Sequence, residues 1–160
     1  MTNSGQATGG TIEAAGGPLY YEVAGEGHPL LLVHAGIADR RMWDDQWGEF
    51  SRRYRVIRYD LRGYGDTPLL DRGYSNRQDI HDLLTHLGVD KTYIIAVSRG
   101  GQIATDYTLE HPEMVAALVL VGAGIGGWEN EAGPTSEEKA GVRGDGGSRD
   151  EGRLGARGRP

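Results

Sequence analysis

The chain has 160 residues, a net charge of −6 and no cysteine, so it can bury one hydrophobic core but cannot form disulfides or thiolate metal sites. The negative charge argues against a nucleic-acid or anionic-membrane surface. With 27 glycines and a hydrophobic share of 38%, part of the chain is not expected to join that core. The N-terminus lacks the basic and apolar regions of a signal peptide, and no apolar run approaches a membrane span, so we expect a cytoplasmic protein.

The N-terminal part of the chain predicts a loose leader followed by three strands. Residues 1–10 are polar and rich in glycine, and we expect them to form a flexible leader. Thr11–Ala14 and Leu19–Ala24 have strand-like composition and flank the turn Ala15–Pro18, which predicts a hairpin. Leu30–Val33 is a short apolar run, long enough only for a buried strand.

A loop of small residues leads from the third strand into a helix. Residues 34–39 read H-A-G-I-A-D. Behind this loop, Trp43, Trp47 and Phe50 recur at i, i+4 and i+7, which predicts one apolar face of a helix. Asp39 is placed to act as the N-cap of that helix.

The next strand, Tyr54–Tyr59, ends in a turn that reads D-L-R-G-Y-G-D-T. We expect Gly63 and Gly65 to take positive φ in this turn. Asp60 and Arg62 are predicted to pair with each other, buried or half-buried, and so to tie the turn. A phosphate-binding loop is the alternative, but it requires G-x-G-x-x-G at the start of a helix or a G-K-[ST] ending, and neither is present.

Residues 75–88 carry the start, the apolar face and the end of a helix. Ser75 begins an S-x-x-Q capping box, and Gly88 closes the helix at the C′ position. Four apolar residues share one face at i, i+3, i+4 and i+7, namely Ile80, Leu83, Leu84 and Leu87. His81 and His86 lie off this face and five residues apart, so we predict a solvated surface rather than a metal-binding pair.

The most informative stretch is a buried strand, a serine and a helix. Thr92–Val97 is β-branched and aromatic without charge, and Arg99–Glu110 has helical spacing. Ser98 lies at the turn between them. The small residues Ala96 and Gly100 stand at i−2 and i+2, where a sharp turn leaves no room for larger side chains. A glycine-rich turn in an unrelated α/β domain is the alternative interpretation.

After this helix, Met114–Val121 predicts a sixth strand that is buried on both faces. The chain therefore runs from a hairpin through strand–helix units repeated three times to a last strand. This alternation predicts an α/β fold with a mostly parallel sheet, an N-terminal hairpin and helices on both faces.

Three of these motifs, in this order, resemble the α/β-hydrolase family. The A-x-S-x-G turn at Ser98 resembles the nucleophile elbow of that family, with alanine in place of the first glycine. The H-A-G loop resembles the family's H-G loop, and D-L-R-G-Y-G-D-T resembles its D-x-R-G-x-G-x-S/T turn. The resemblance covers Leu19–Gly124.

The resemblance implies a serine hydrolase that cleaves a small carboxylic ester or lactone through an acyl-enzyme, without a cofactor or a metal. Ser98 would be the nucleophile, and the N–H groups of Gly36, or less favourably Ile37, and of Arg99 would form the oxyanion hole. We expect Ile37 and Trp43 to border the substrate. A serine at the elbow argues against haloalkane dehalogenase or epoxide hydrolase chemistry, for which the family uses an aspartate. The remaining motif residues would have structural roles: His34, Asp60, Arg62, Gly63, Gly65, Ala96 and Gly100.

The C-terminal segment departs from the family pattern. It consists of glycine and charged residues, and after Trp128 only Val142 and Leu154 are large aliphatic residues. Such a segment cannot bury enough apolar surface to offset its ordering entropy. We therefore predict a domain over residues 11–125 and a disordered tail over residues 126–160. The same composition also fits a shifted reading frame.

The family's triad places an acid and then a histidine after the nucleophile. No histidine follows His111, which ends the helix that begins at Ser98 and so lies about 20 Å away. Glu129 or Glu131 fits the position of the acid only weakly. We expect the base to be missing and the domain to be truncated after the sixth strand, which leaves an open sheet edge available for association. The alternative function is an inactive hydrolase-like fragment or a binding module.

Overall fold

The computed structural model describes residues 7–71 and 73–124. Six strands alternate with helices in the predicted order. The strands are β1 (Thr8–Ala14), β2 (Gly17–Ala24), β3 (His28–Val33), β4 (Tyr54–Tyr59), β5 (Thr92–Val97) and β6 (Val115–Val121). The helices are α1 (Asp44–Phe50), α2 (Asn76–His86) and α3 (Arg99–Glu110), with single 3₁₀ turns at Arg40–Trp43 and Pro112–Met114.

The six strands form one sheet in the order β1-β2-β4-β3-β5-β6. The N-terminal hairpin and its junction with β4 are antiparallel, whereas β4, β3, β5 and β6 run parallel to one another. The predicted fold class is therefore confirmed. Because β3 and β5 are adjacent and parallel, the loop after β3 and the turn after β5 meet at the same edge of the sheet.

The sheet is covered on both faces. On one face α2 and α3 cover the larger core, which includes Leu31, Ile57, Ile94 and Tyr107. On the other face Trp43 packs with Leu30, Leu32 and Val56. Trp43 is only 6% exposed. This corrects the prediction that Trp43 borders the substrate, because its side chain fills the core beneath the first 3₁₀ turn.

Both N-caps predicted from the sequence are present, although one of them caps a 3₁₀ turn and not an α-helix. Asp39 caps the 3₁₀ turn that precedes α1, and its carboxylate accepts from the N–H of Arg41. Ser75 caps α2 by accepting from the N–H of Gln78 at 3.3 Å. Gly88 follows α2 with φ 64°, as a C′ glycine should.

The hairpin is longer than predicted. β1 begins at Thr8, so residues 8–10, which we assigned to the leader, pair with β2. β2 begins at Gly17, so the turn shortens to Ala15 and Gly16. Residues 1–6 of the predicted leader and the predicted disordered tail lie outside the described residues.

The sixth strand is exposed, which contradicts the prediction that it is buried on both faces. Within residues 7–71 and 73–124, β6 pairs only with β5 and is an edge of the sheet. Val119 and Val121 are about half exposed, at 51% and 50%. An apolar strand is buried only when neighbours cover it, and the sequence of a strand does not specify those neighbours.

Within residues 7–71 and 73–124, no helix is long and apolar enough to cross a membrane.

Candidate active site

Ser98 lies at a strained turn between β5 and α3. Its backbone has φ 51° and ψ −118°, and within the described ranges it is the only residue other than glycine with positive φ. The Ser98 N–H donates to the carbonyl of Val121 at 3.0 Å, and the N–H of Gly101 donates to the carbonyl of Ser98 at 2.9 Å. These bonds hold the residue in an unfavourable conformation with its side chain exposed at the first turn of α3.

The surroundings of Ala96 and Gly100 explain why both residues are small. A Cβ atom at Gly100 would collide with the backbone carbonyl of His34 and would lie 2.8 Å from the carbonyl of Val33. Only glycine lets α3 start this close to β3. Ala96 is fully buried between Val33 and the edge strand, so its methyl group occupies the core at the position where the family has glycine.

The loop after β3 meets the start of α3. A Cβ atom at Gly36 would lie 3.0 Å from Cδ and 3.2 Å from Cβ of Arg99. The structure therefore brings together the two residues whose N–H groups were predicted to form the oxyanion hole. Within the described part of the chain, neither N–H donates a hydrogen bond to another group of the protein. Ile37 is 98% exposed beside them.

Two hydrogen bonds fix the orientation of the peptide groups around Gly36. The carbonyl of Ala35 accepts from Nδ1 of His34 at 2.8 Å and from the N–H of Ala38 at 3.1 Å. Since this peptide bond is trans, the Gly36 N–H points away from that carbonyl. The carbonyl of Gly36 accepts from the hydroxyl of Tyr64 at 2.7 Å. The loop is therefore held from both sides, a contribution of Tyr64 that the sequence reasoning missed.

His34 is a completely buried residue that links this loop to the turn after β4. Its Nε2 accepts from the N–H of Leu61 at 2.9 Å. Because Nδ1 faces a carbonyl, it must donate, so the ring is neutral with its proton on Nδ1. Burial lowers the pKa of His34 below its ordinary value of 6.5. Both ring nitrogens are occupied, so His34 orders the loop and is not available as a base.

We expect His34 to make stability fall as the pH falls below about 6.5. The unfolded chain takes up a proton at the ordinary histidine pKa, whereas the folded protein resists it, so acid favours the unfolded state. Thermal unfolding measured between pH 7 and pH 5 should lose stability more steeply for the wild type than for His34→Gln, whose amide cannot titrate. Parallel pH profiles for the two proteins would contradict this expectation.

The turn after β4 is organised differently from the prediction, because Asp60 and Arg62 do not pair with each other. Asp60 accepts from the side chain of Arg40 and from its N–H at 2.8 Å. Arg62 instead forms a bidentate pair with Asp79 of α2, at 2.8 and 2.6 Å. The two side chains extend from the turn toward different elements. Arg40 precedes Asp60 in the sequence and Asp79 follows Arg62, each by about 20 residues.

Gly63 and Gly65 take the positive φ expected of them, 83° and 49°. At Gly65 a Cβ atom would collide with the carboxylate of Asp60. Glycine is therefore required there both by the backbone conformation and by the ion pairs of that carboxylate.

None of the chain's five histidines is placed to accept a proton from Ser98. His28 stacks on Tyr93 at the opposite end of β3, and His86 packs against Tyr21 of β2, three strand positions from β5. His111 follows α3, about 18 Å from its start. His81 stacks on His111 with ring centroids 4.5 Å apart. The prediction of a solvated surface is therefore wrong for His81, whereas His86 is exposed.

Within residues 7–71 and 73–124, no group of three or more candidate ligands is placed to hold a metal ion. Glu129 and Glu131, the weak candidates for the triad acid, lie outside the described residues.

A family model described as alpha/beta hydrolase fold matches residues 28–149. A human protein named epoxide hydrolase 4 is 38% identical over 117 residues, which are 69% of this chain and 32% of that protein. A 2-hydroxy-6-oxononadienedioate/2-hydroxy-6-oxononatrienedioate hydrolase of Comamonas testosteroni is 33% identical over 109 residues, 63% of this chain and 38% of that protein.

Solved structures show the same likeness. An esterase from Exiguobacterium antarcticum is 32% identical and has a TM-score of 0.68 over 72% of this chain and 46% of its own. An epoxide hydrolase named CorEH is 27% identical, with a TM-score of 0.73 over 84% of this chain and 48% of its own. The chain thus spans less than half the length of each of these relatives.

Proposed function

The chain belongs to the α/β-hydrolase-fold family, and from this premise we propose that it supplies the nucleophile and the oxyanion-binding groups of a serine hydrolase. The observation that carries the proposal is the backbone of Ser98, a residue other than glycine held at φ 51°. Strain at a single exposed serine is typical of a functional site, because no packing requirement explains it. The N–H groups of Gly36 and Arg99 beside it donate no hydrogen bond within residues 7–71 and 73–124, which supports the same role.

The proposed reaction is hydrolysis of a small carboxylic ester or a lactone. Oγ of Ser98 bonds to the carbonyl carbon, and the carbonyl oxygen becomes an anion bound by the N–H groups of Gly36 and Arg99. Collapse of this intermediate breaks the bond to the leaving oxygen, which takes the proton that Ser98 has lost and becomes a hydroxyl group, on a free alcohol for an ester and at the end of the acyl chain for a lactone. Water then cleaves the acyl-serine. The proton of Ser98 passes to a base other than the five histidines, whose positions exclude them.

The chemistry of serine distinguishes ester cleavage from the activity named for several relatives. A serine that opened an epoxide would form an ether with its substrate, and water does not readily cleave an ether. A carboxylate nucleophile would instead form an ester, which water can cleave. Since position 98 is serine, we propose an acyl substrate for this chain even though relatives are named epoxide hydrolases.

We expect a fluorophosphonate probe to label Ser98 slowly and selectively, as mapped by peptide mass spectrometry. Labelling should be slow because no histidine takes the hydroxyl proton, and added imidazole, an external base, should accelerate it. Ser98→Ala should abolish the adduct. Ser51 is an internal control, because its hydroxyl donates to the carbonyl of Gly48 and its backbone has an ordinary helical conformation, with φ −67°.

The result also decides between this proposal and its rival. The positions of the histidines favour a second candidate, an inactive hydrolase-like module that binds a ligand or partner. If labelling of Ser98 does not exceed that of Ser51 and imidazole has no selective effect, the nucleophile role is wrong and the inactive module is the better description.

A further inference from the structure

Arg99 carries a positive charge on the residue next to Ser98 and has no ion-pair partner in the part of the chain that the structure describes. Seven other arginines form ion pairs with carboxylates: Arg40, Arg41, Arg52, Arg53, Arg58, Arg62 and Arg77. Arg55 instead donates to the carbonyl of Leu87. Arg99 has no such partner within residues 7–71 and 73–124, and it is exposed. Among the arginines in the described ranges, Arg99 alone has neither an ion pair nor a hydrogen bond to a carbonyl, and it adjoins Ser98.

The stem of Arg99 packs against the loop after β3. Its Cβ, Cγ and Cδ atoms all lie within 3.7 Å of the position that a Cβ of Gly36 would occupy. Because Gly36 has no side chain, the stem of Arg99 can lie this close to the loop. The charge acts on this loop, because the Arg99 guanidinium contributes to lowering the pKa of His34.

A positive charge at this place favours an anionic substrate. The guanidinium lies on the residue next to the nucleophile, at the start of α3, whose dipole adds positive potential. A guanidinium binds a carboxylate through paired N–H groups, which gives orientation as well as attraction. We propose that Arg99 selects substrates that carry a carboxylate in addition to the bond that Ser98 attacks. This inference rests on the proposed function of Ser98.

Two matched boronic acids test the proposal without requiring turnover. 3-Carboxyphenylboronic acid carries the charge, and 3-carbamoylphenylboronic acid has nearly the same shape without it. With either probe, Oγ of Ser98 bonds to boron, boron becomes four-coordinate and anionic, and the serine proton passes to the buffer. Dissociation constants are measured by isothermal titration calorimetry on the whole 160-residue chain.

We expect the carboxylate probe to bind the wild type about tenfold more tightly than the amide probe, as one charge-assisted contact allows. Arg99→Met keeps the apolar stem against Gly36 and should abolish this preference, whereas Arg99→Lys should retain part of it. Added salt should weaken the preference, because the charge is exposed.

The outcomes separate the two proposals. Ser98-dependent binding with equal affinity for both probes, or a preference that survives in Arg99→Met, would overturn the role of Arg99 and leave that of Ser98 intact. Binding of both probes that Ser98→Ala does not reduce would overturn the nucleophile role, and the inference about Arg99 would fall with it.

Discussion

Replacing Asp79 by alanine is expected to lower the free energy of unfolding by about 3–5 kcal/mol. Asp79 accepts two hydrogen bonds from Arg62, and the side chains are 2% and 0% exposed. Arg62 also donates to the carbonyls of Gly17 and Pro18, so it is fixed in the interior by β2 and α2 together. Without the carboxylate, a positive charge remains buried without a counter-charge. Urea unfolding followed by circular dichroism measures the loss.

Two controls isolate the buried charge as the cause. Asp90→Ala removes an exposed carboxylate near the start of β5 and should change stability by less than about 0.5 kcal/mol. The double variant Arg62→Met, Asp79→Leu removes both charges and should lose less than Asp79→Ala alone. If the double variant were less stable than the single one, the unpaired charge would not be the main cost.

The pairing of Arg62 with Asp79 could not be predicted from the sequence, whereas several local features could. Short-range patterns predicted the features that depend on a few consecutive residues: the cap at Ser75, the C′ glycine at Gly88 and the turn at Ser98. Each of these follows from the backbone conformation or a local hydrogen bond. The order of strands and helices was predicted from the alternation of strand-like and helix-like segments alone.

Features that depend on distant partners could not be predicted in the same way. Arg62 was expected to pair with its near neighbour Asp60, but the fold places Asp79 against it. Trp43 was predicted on the apolar face of a helix with Trp47 and Phe50, and it lies in the 3₁₀ turn that precedes α1. The spacing did not say whether its side chain meets a substrate or the sheet. Use of the β6 edge for association stays a prediction.

Gly100→Ala is expected to remove most of the reactivity of Ser98, and to do so by moving the backbone. The added methyl group would collide with the carbonyl of His34 and press on that of Val33, and both belong to the backbone at the end of β3, which cannot rotate away. The start of α3 must therefore shift away from β3. We expect a loss of about 1–3 kcal/mol in stability from the overpacking.

The effect on the site should exceed the effect on stability. Moving α3 shifts the N–H of Arg99 relative to that of Gly36, which belongs to the loop after β3, so the two donors proposed to bind the oxyanion would no longer be placed to bind one oxygen together. A displacement of about 1 Å can cost on the order of a hundredfold in rate, so fluorophosphonate labelling of Ser98 should fall by about that factor in protein that is still folded.

Gly48→Ala is the matched control for this substitution. A Cβ atom there has no neighbour within 4 Å, and Gly48 lies inside α1, where alanine is the better helix former. This variant should gain about 0.5–1 kcal/mol in stability and label at the wild-type rate. Wild-type labelling of folded Gly100→Ala would show that the spacing between α3 and β3 does not set the reactivity of Ser98. The oxyanion role of Gly36 and Arg99 would then lose its geometric basis, because that role requires the two N–H groups to stay at a fixed distance.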